Sequence, residues 1–447
     1  MRKLISSLFV LLLAATALVA QTGEDAYKDA RKAFDKYQVN SADTEALVEA
    51  ASKIDMAMQD AAMKANEKAL MEAGDIYSAA INEYIKKRTL DGTAKDRTIA
   101  TPAVRAAKAY MAAYNVSEKK GNKKKALQAL ADLQANISNE GIYAIQDGAD
   151  DEKYYQEAYD AFNTNLMVAD FLKEQKGEMT ITEELLTQDK FYAALAANQV
   201  KDTKNAKRLM EELYADKYDD AAIYANLHSI YLAEGDTKKA EKILFEGRER
   251  YADDTNLLFN EINYLLKNGR LTELTDRVEQ AIQKEPTNMS LYATSANVYE
   301  QLYNKSLEDG DEDAATKYYA KAQGEYERGL KQDPNSAQMT YGLGILIYNR
   351  GALMSKDLED LSSDLSKEGE KKYNALKEKV DAQFALALPY FQKAEMQDPN
   401  NRNALIALKE MYARRDNYEV SGEMKKRLDK IEAGGSNSGS YFKENGM

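Results

Sequence analysis

The chain has no cysteine, no tryptophan, a single histidine and five prolines in 447 residues. Without a thiol there is no disulfide, no thiolate metal site, no cysteine nucleophile and no lipid carried on a cysteine. Without tryptophan the strongest ring for stacking on sugars is missing, and 30 Tyr against 10 Phe make up the aromatic supply. The single imidazole, His228, would have to serve any nucleophilic triad, and it gives a metal site no second histidine. It reads as a packed, hydrogen-bonded residue. Neither a catalytic residue nor a metal or cofactor site is expected. Scarce proline, abundant Ala, Leu, Lys and Glu, and no long alternation of apolar and polar residues point to an all-α chain.

Basic faces are scarce too. With 61 Lys and Arg against 74 Asp and Glu the net charge is −13, so nucleic acid, which needs a concentrated basic surface, is excluded as a general partner. The local run Lys119, Lys120, Lys123, Lys124 and Lys125 flanks Gly121-Asn122 and reads as solvated charge around an inter-helix turn. The acidic turn Asp309, Asp311, Glu312 and Asp313 lacks the ligand spacing of a calcium loop and reads the same way.

Residues 1–20 have the form of a secretory leader. Arg2 and Lys3 open it, an apolar stretch over 4–13 follows, and Ala15-Thr16-Ala17 or Leu18-Val19-Ala20 offers a small-residue cleavage site. Removing Arg2 and Lys3 takes the net charge from −13 to −15. No other stretch is long and apolar enough to span a bilayer, so stable membrane insertion is not expected after cleavage. An exported chain free of cysteine fits the periplasm or cell exterior of a Gram-negative bacterium.

The rest divides into degenerate helical hairpins over 21–186, clearer repeats over 187–288, repeats with lengthened helices over 289–432, and a flexible Gly/Ser-rich tail over 433–447. Helices are expected over 25–37, 45–59, 65–87 and, after Thr101-Pro102 as cap and first turn, to about Val116. Gly121-Asn122 is read as a turn, 124–135 as the return helix, and 141–146 with 152–173 as a hairpin across Asp147-Gly148. Glu285-Pro286, Asp333-Pro334 and Asp398-Pro399 mark helix stops. Glycines 342 and 344, inside a helical pattern with no preceding strand, serve close packing.

Between 224 and 335 one unit recurs: Tyr224-x-x-Leu227…Tyr231…Gly235…Ala240…Leu244, then Leu258…Leu265…Gly269…Ala281…Pro286, then Tyr292…Ala296…Tyr299…Ala322…Tyr326…Pro334. A period of about 34 residues with large, small, aromatic, Gly and Pro positions in phase belongs to stacked helical hairpins. The spacing then stretches: Pro286 to Pro334 and Pro334 to Pro399 exceed that period by about 14 and about 31 residues. The dense charge of 358–380 fits lengthened helices.

These residues resemble the tetratricopeptide repeat family, and the leader joined to a Tyr-rich, Cys-free array is similar to exported tetratricopeptide proteins of Bacteroidetes. His228 stands where a small residue is usual, and Glu261 where Leu is usual. The resemblance implies an α-solenoid of stacked helix-turn-helix repeats winding into a right-handed superhelix. It also implies a groove, lined by the first helices, that holds peptide segments. Carried over by phase, that groove comprises Ala222, Ala225 and Ser229; Asn256, Phe259, Asn263 and Leu266; and Ser290, Ala293, Asn297 and Glu300. Members that clamp a terminal carboxylate put Lys and Arg beside Asn there. Here Phe259, Ala293 and Ser290 stand in place of the cations, so mixed apolar and amide contacts are expected.

The function implied is that of a non-enzymatic scaffold for protein–protein interaction, with a protein or peptide partner, in a bacterial envelope assembly. The alternatives are a module capturing oligosaccharide or peptide, with Tyr replacing the absent Trp, and a carboxylate-based envelope hydrolase.

Overall fold

The computed structural model of the chain describes residues 23–95, 97 and 99–446, so the leader expected over 1–20 lies outside the described residues. Among the described residues there are twenty helices and no strand. None of the helices is long and apolar enough to cross a membrane. The chain divides into two compact units, Met1–Ile243 and Leu244–Met447.

The first unit holds α1 (Gly23–Val39), α2 (Thr44–Ala57), the short α3 (Ala61–Lys64), α4 (Glu67–Leu90), α5 (Pro102–Val116), α6 (Lys120–Gly148), α7 (Lys153–Glu174), α8 (Glu183–Gln199), α9 (Thr203–Ala215) and α10 (Ala221–Ala233). The division falls inside α11 (Thr237–Arg250). The second unit continues with α12 (Thr255–Lys267), α13 (Leu271–Lys284), α14 (Met289–Glu308), α15 (Glu312–Gln332), α16 (Ala337–Leu361), α17 (Lys367–Gln397), α18 (Arg402–Ala413), α19 (Tyr418–Glu432) and α20 (Tyr441–Glu444).

Helices pack on their neighbours in sequence, as hairpins do: α1 on α2, α4 on α5, α6 on α7 and α8 on α9 in the first unit. In the second, α12 pairs with α13, α14 with α15, α16 with α17 and α18 with α19. Packing of α13 on α14, α15 on α16 and α17 on α18 joins successive hairpins, which makes this an all-α stack of helix-turn-helix units.

Short polar residues set where the first helices start. Asp220, Asp254, Asn288, Ser336 and Asn401 each accept a hydrogen bond from an amide in the first turn that has no helical acceptor. The turns inside hairpins are fixed by Gly235, Gly269 and Gly310, whose φ of 80°, 66° and 74° a side chain would strain. Helices α13, α15 and α17 end just before the Glu-Pro and Asp-Pro pairs, as expected. The lengthened pair is α16 and α17, at 25 and 31 residues.

Four expectations need correction. Gly121-Asn122 is no turn: α6 already begins at Lys120, with Asn122 and Lys123 amides both donating to Lys119 O at 3.0 Å. The basic run therefore lies on a helix start, where Lys123 Nζ sits 4.8 Å from the Tyr114 ring centroid.

Second, 124–135 and 141–146 are parts of the same 29-residue helix, and the turn comes after Gly148. Gly141 and Gly148 serve contact instead: a Cβ at either would lie 2.7 Å from the Phe162 ring or 2.6 Å from the Tyr155 ring.

Third, Thr101 does not cap α5; it sits at φ 45° with no side-chain bond to the helix. The cap comes from α6, where the buried Glu140 carboxylate accepts from Ala103 N at 3.3 Å and Val104 N at 3.1 Å.

Fourth, the tail expected over 433–447 is docked over its described residues. Phe442 is fully buried and stacks on Tyr412 at 6.1 Å, while buried Glu395 of α17 accepts from Tyr441 N at 2.8 Å and from the Ser440 hydroxyl. Arg427 of α19 adds bonds to Glu395 at 3.3 Å and to the Gly439 carbonyl at 2.7 Å. The aromatic Tyr441-Phe442 pair supplies the apolar anchor that the Gly/Ser composition hides.

Candidate functional site

On α10 the apolar side chains Ile223, Leu227 and Ile230 face inward and leave Ala222 and Ala225 half-buried and Ser229 exposed. The hydroxyl of Ser229 donates to the Ala225 carbonyl at 3.0 Å, so this part of the face offers methyl groups more than free donors. His228 lies on the inner side, 3 % exposed, with Nδ1 2.9 Å from the carbonyl oxygen of Ala240 on α11. Loss of hydration lowers its pKa, although the bond to Ala240 opposes the shift. It fills the place of the usual small residue with a packed, hydrogen-bonded ring.

In the second unit the first-helix faces continue the pattern. Leu257, Leu258, Ile262 and Leu265 bury one side of α12, so Asn256, Asn263 and Leu266 are exposed and Phe259 is half-buried. Glu261, in place of Leu, is inside: its carboxylate accepts from Arg248 Nε at 2.9 Å and Arg277 Nε at 2.7 Å. On α14, Ser290 and Asn297 are exposed, and Ala293 and Glu300 are half-buried. Two of these are already engaged, Ser290 with Asn288 Oδ1 at 2.6 Å and Glu300 with the Tyr326 hydroxyl at 2.8 Å. Burial raises the Glu300 pKa, opposed by that hydroxyl. Asn263 and Asn297 keep their carboxamides without an intramolecular partner among the described residues.

A groove lies further along this face, on residues beyond those carried over by phase. Between α16 and α18, Tyr341, Ile345, Tyr348 and Asn349 face Asn403, Ile406 and Ala407 across a cavity of about 180 Å³. Phe391 of α17 forms its floor, with ring centroids 6.0 Å from Tyr341 and 5.8 Å from Tyr348 at near-perpendicular planes. The Tyr348 hydroxyl donates to Glu410 Oε2 of α18, which ties the two helices together. Burial, and then that carboxylate, raise the Tyr348 pKa. The Tyr341 hydroxyl is buried and has no hydrogen-bond partner among the described residues. A rigid wall of two Tyr and two Ile, edged by two carboxamides, can take an apolar side chain and hydrogen-bond the backbone beside it.

The signal for this groove is present in the sequence. Thr340-x-x-Leu343-Gly344-x-x-Ile347 repeats Tyr292-x-x-Ser295-Ala296-x-x-Tyr299 with a constant offset, which puts Tyr341, Ile345 and Tyr348 in the places of Ala293, Asn297 and Glu300. The lengthened Pro286 to Pro334 interval hides the phase unless it is taken afresh from Pro334.

The acidic turn is spent on capping, since Asp311 accepts from Ala314 N at 2.9 Å at the start of α15. Among the described residues no group of three or more His, Asp or Glu is placed to hold a metal ion.

No protein-family model matches the chain, and no curated protein matches its sequence. Solved structures that resemble it include several tetratricopeptide repeat proteins. The C-terminal part of a TPR repeat-containing protein from Cytophaga hutchinsonii is 15% identical, with 61% of this chain and 95% of that one covered at a TM-score of 0.36. A tetratricopeptide repeat protein from Parabacteroides merdae is 12% identical, with 54% and 92% covered at 0.31. MamA from Desulfovibrio magneticus is 17% identical, with 48% and 97% covered at 0.33. The helical-hairpin fold stands on the pairing described above, not on these likenesses.

Proposed function

We propose that the chain is an exported, non-enzymatic scaffold that binds a segment of another polypeptide along its first-helix faces. The aromatic groove between α16 and α18 carries this reading: Tyr341 and Tyr348 are held rigidly by ring contacts on Phe391, yet half-exposed, and Ile345 and Ile406 complete an apolar seat. Rigid amphipathic rings in such positions make strong anchors because little side-chain entropy is lost on binding. Phe259 and the exposed carboxamides of Asn263 and Asn297 lie on equivalent faces and extend the surface. Export is supported by the leader pattern of residues 1–20, and an envelope assembly is the setting that this implies.

The test begins with capture from an envelope extract and mass spectrometry, followed by titration of the identified partner. Y341A/I406D and F259A/N263A should each weaken binding about tenfold or more, the loss of a central anchor, at unchanged helical content. A partner bound with parental affinity by both double variants eliminates this surface.

A further inference from the structure

The first helices of the Leu244–Met447 unit are nearly without charge, although charged residues make up 30% of the chain. Helix α12 carries only Glu261 and Lys267, whereas its partner α13 carries Glu273, Asp276, Arg277, Glu279 and Lys284. Helix α14 has no charged residue before Glu300 and α16 none before Arg350, while α15 opens on Glu312-Asp313 and continues with Lys317, Lys321, Glu325 and Glu327. Charge has been sorted onto the second helix of each hairpin.

Burial does not account for this sorting. Asn256, Asn263 and Asn297, like Asn349 and Asn403 at the edges of the groove between α16 and α18, are exposed to water, where a charged side chain would keep its hydration. None of these carboxamides has an intramolecular partner among the described residues. The groove itself has no charged residue in its lining. The charges that do occur on these helices are engaged elsewhere: Glu261 lies inside between Arg248 and Arg277, Glu300 holds the Tyr326 hydroxyl, Glu410 holds the Tyr348 hydroxyl, and Arg402 of α18 pairs with Glu432 of α19 at 2.8 Å.

A carboxamide offers both a donor and an acceptor, so it matches the C=O and N–H of a peptide group in either chain direction. A charged side chain laid on the same face would give up hydration and meet no free counter-charge. The seat of about 180 Å³ exceeds the roughly 150 Å³ of a cavity that takes up benzene, so it admits one side chain of Leu or Phe size. Resting on the reading that this face binds a segment of another polypeptide, we propose that the segment is uncharged where it lies against these helices, with one large apolar side chain in the seat and its backbone on the carboxamides.

A phage-displayed library of random dodecapeptides, panned on the full chain, supplies the probes, and recovered sequences are synthesised and titrated by fluorescence anisotropy. They should share a stretch free of Asp, Glu, Lys and Arg around one Leu, Ile or Phe, and bind with an affinity that changes less than about twofold between roughly 50 and 500 mM NaCl. Replacing that apolar residue of the peptide by Lys or by Glu should weaken binding at least about tenfold, as should Y341A/I406D in the protein at parental helical content. Peptides that depend on Tyr341 and Ile406 yet carry charges in the shared stretch, and bind about tenfold more weakly at the higher salt, overturn the proposal and leave the binding face standing. An empty selection, or peptides held with parental affinity by both Y341A/I406D and F259A/N263A, removes the face and the proposal with it.

Discussion

Replacing Glu140 by Gln asks whether a carboxylate that caps one helix from another weakens the fold at neutral pH. Burial pushes the carboxyl up to about 7 from an ordinary 4.5, against the backbone amides of Val104 and Ala103 and the charge of Arg97; Glu157 adds to the rise. The native state therefore holds this proton more tightly than the unfolded chain. Between pH 4.5 and 7 the native state carries the extra proton, so stability falls as pH rises through that window. The contribution is complete below the lower value and lost above the upper one, and it amounts to about 3 kcal/mol in all. Between pH 5 and 8 the change is about 2.5 kcal/mol.

Gln keeps one acceptor for the α5 amides, gives up the second at a cost of about 1 kcal/mol, and does not titrate. The stability of the parent relative to E140Q should thus fall by about 2.5 kcal/mol from pH 5 to pH 8, with the variant ahead at the alkaline end. Because the chain forms two compact units, hydrogen exchange of the α5 amides reads this better than a single melting curve. Protection of α5 that changes in parallel for parent and variant over pH 5, 6.5 and 8 would show that Glu140 stays ionised in the fold, and the reasoning would fail.

Three other substitutions follow from the packing. A Cβ at Gly74 would run into the Tyr110 ring, so G74A should lose about 1–2 kcal/mol despite the better helix former, measured as faster exchange in α4. E261L restores the residue usual at that place in the repeat but strands Arg248, and should cost about 3 kcal/mol in α12; R248M/E261L should lose less than E261L alone. F442A removes a fully buried ring and should release the tail at a local cost of about 3 kcal/mol, seen as rapid proteolysis within 433–446 while α18 and α19 stay intact.

What was legible depended on whether a residue acts through its neighbours in sequence or across space. Helix stops before Pro286, Pro334 and Pro399 were readable because proline acts on the chain beside it. The repeat faces were readable because a helix fixes which residues share a side. Glycines were the main source of error. Gly121, Gly141 and Gly148 look like punctuation, yet Gly141 and Gly148 exist for the rings of Phe162 and Tyr155, which a local reading does not bring near. The cap from Glu140 was equally hidden: Thr101-Pro102 has every local mark of a helix start, and the actual acceptor is 36 residues from Val104. In the candidate site, the phase reached Glu300 and stopped where the repeat lengthened, so the aromatic groove emerged from the fold.

The same distinction explains how departures from the repeat pattern are tolerated. A polar group in a hairpin interior loses hydration worth more than a good hydrogen bond returns, unless a partner is built in with it. His228 has the Ala240 carbonyl, Glu261 has Arg248 and Arg277, and Glu395 has Arg427 with the tail. Each partner comes from the paired helix or the next segment, so the substitution is settled inside one or two hairpins and the stack need not move. Outward residues of the first helices carry no such debt. Ala293, Tyr341 and Ile406 occupy equivalent, half-buried places with different side chains, each meeting solvent as well as its neighbours. The run of aromatic and branched residues at α16 and α18 is therefore the stretch of this face to mutate first in testing the proposed binding surface.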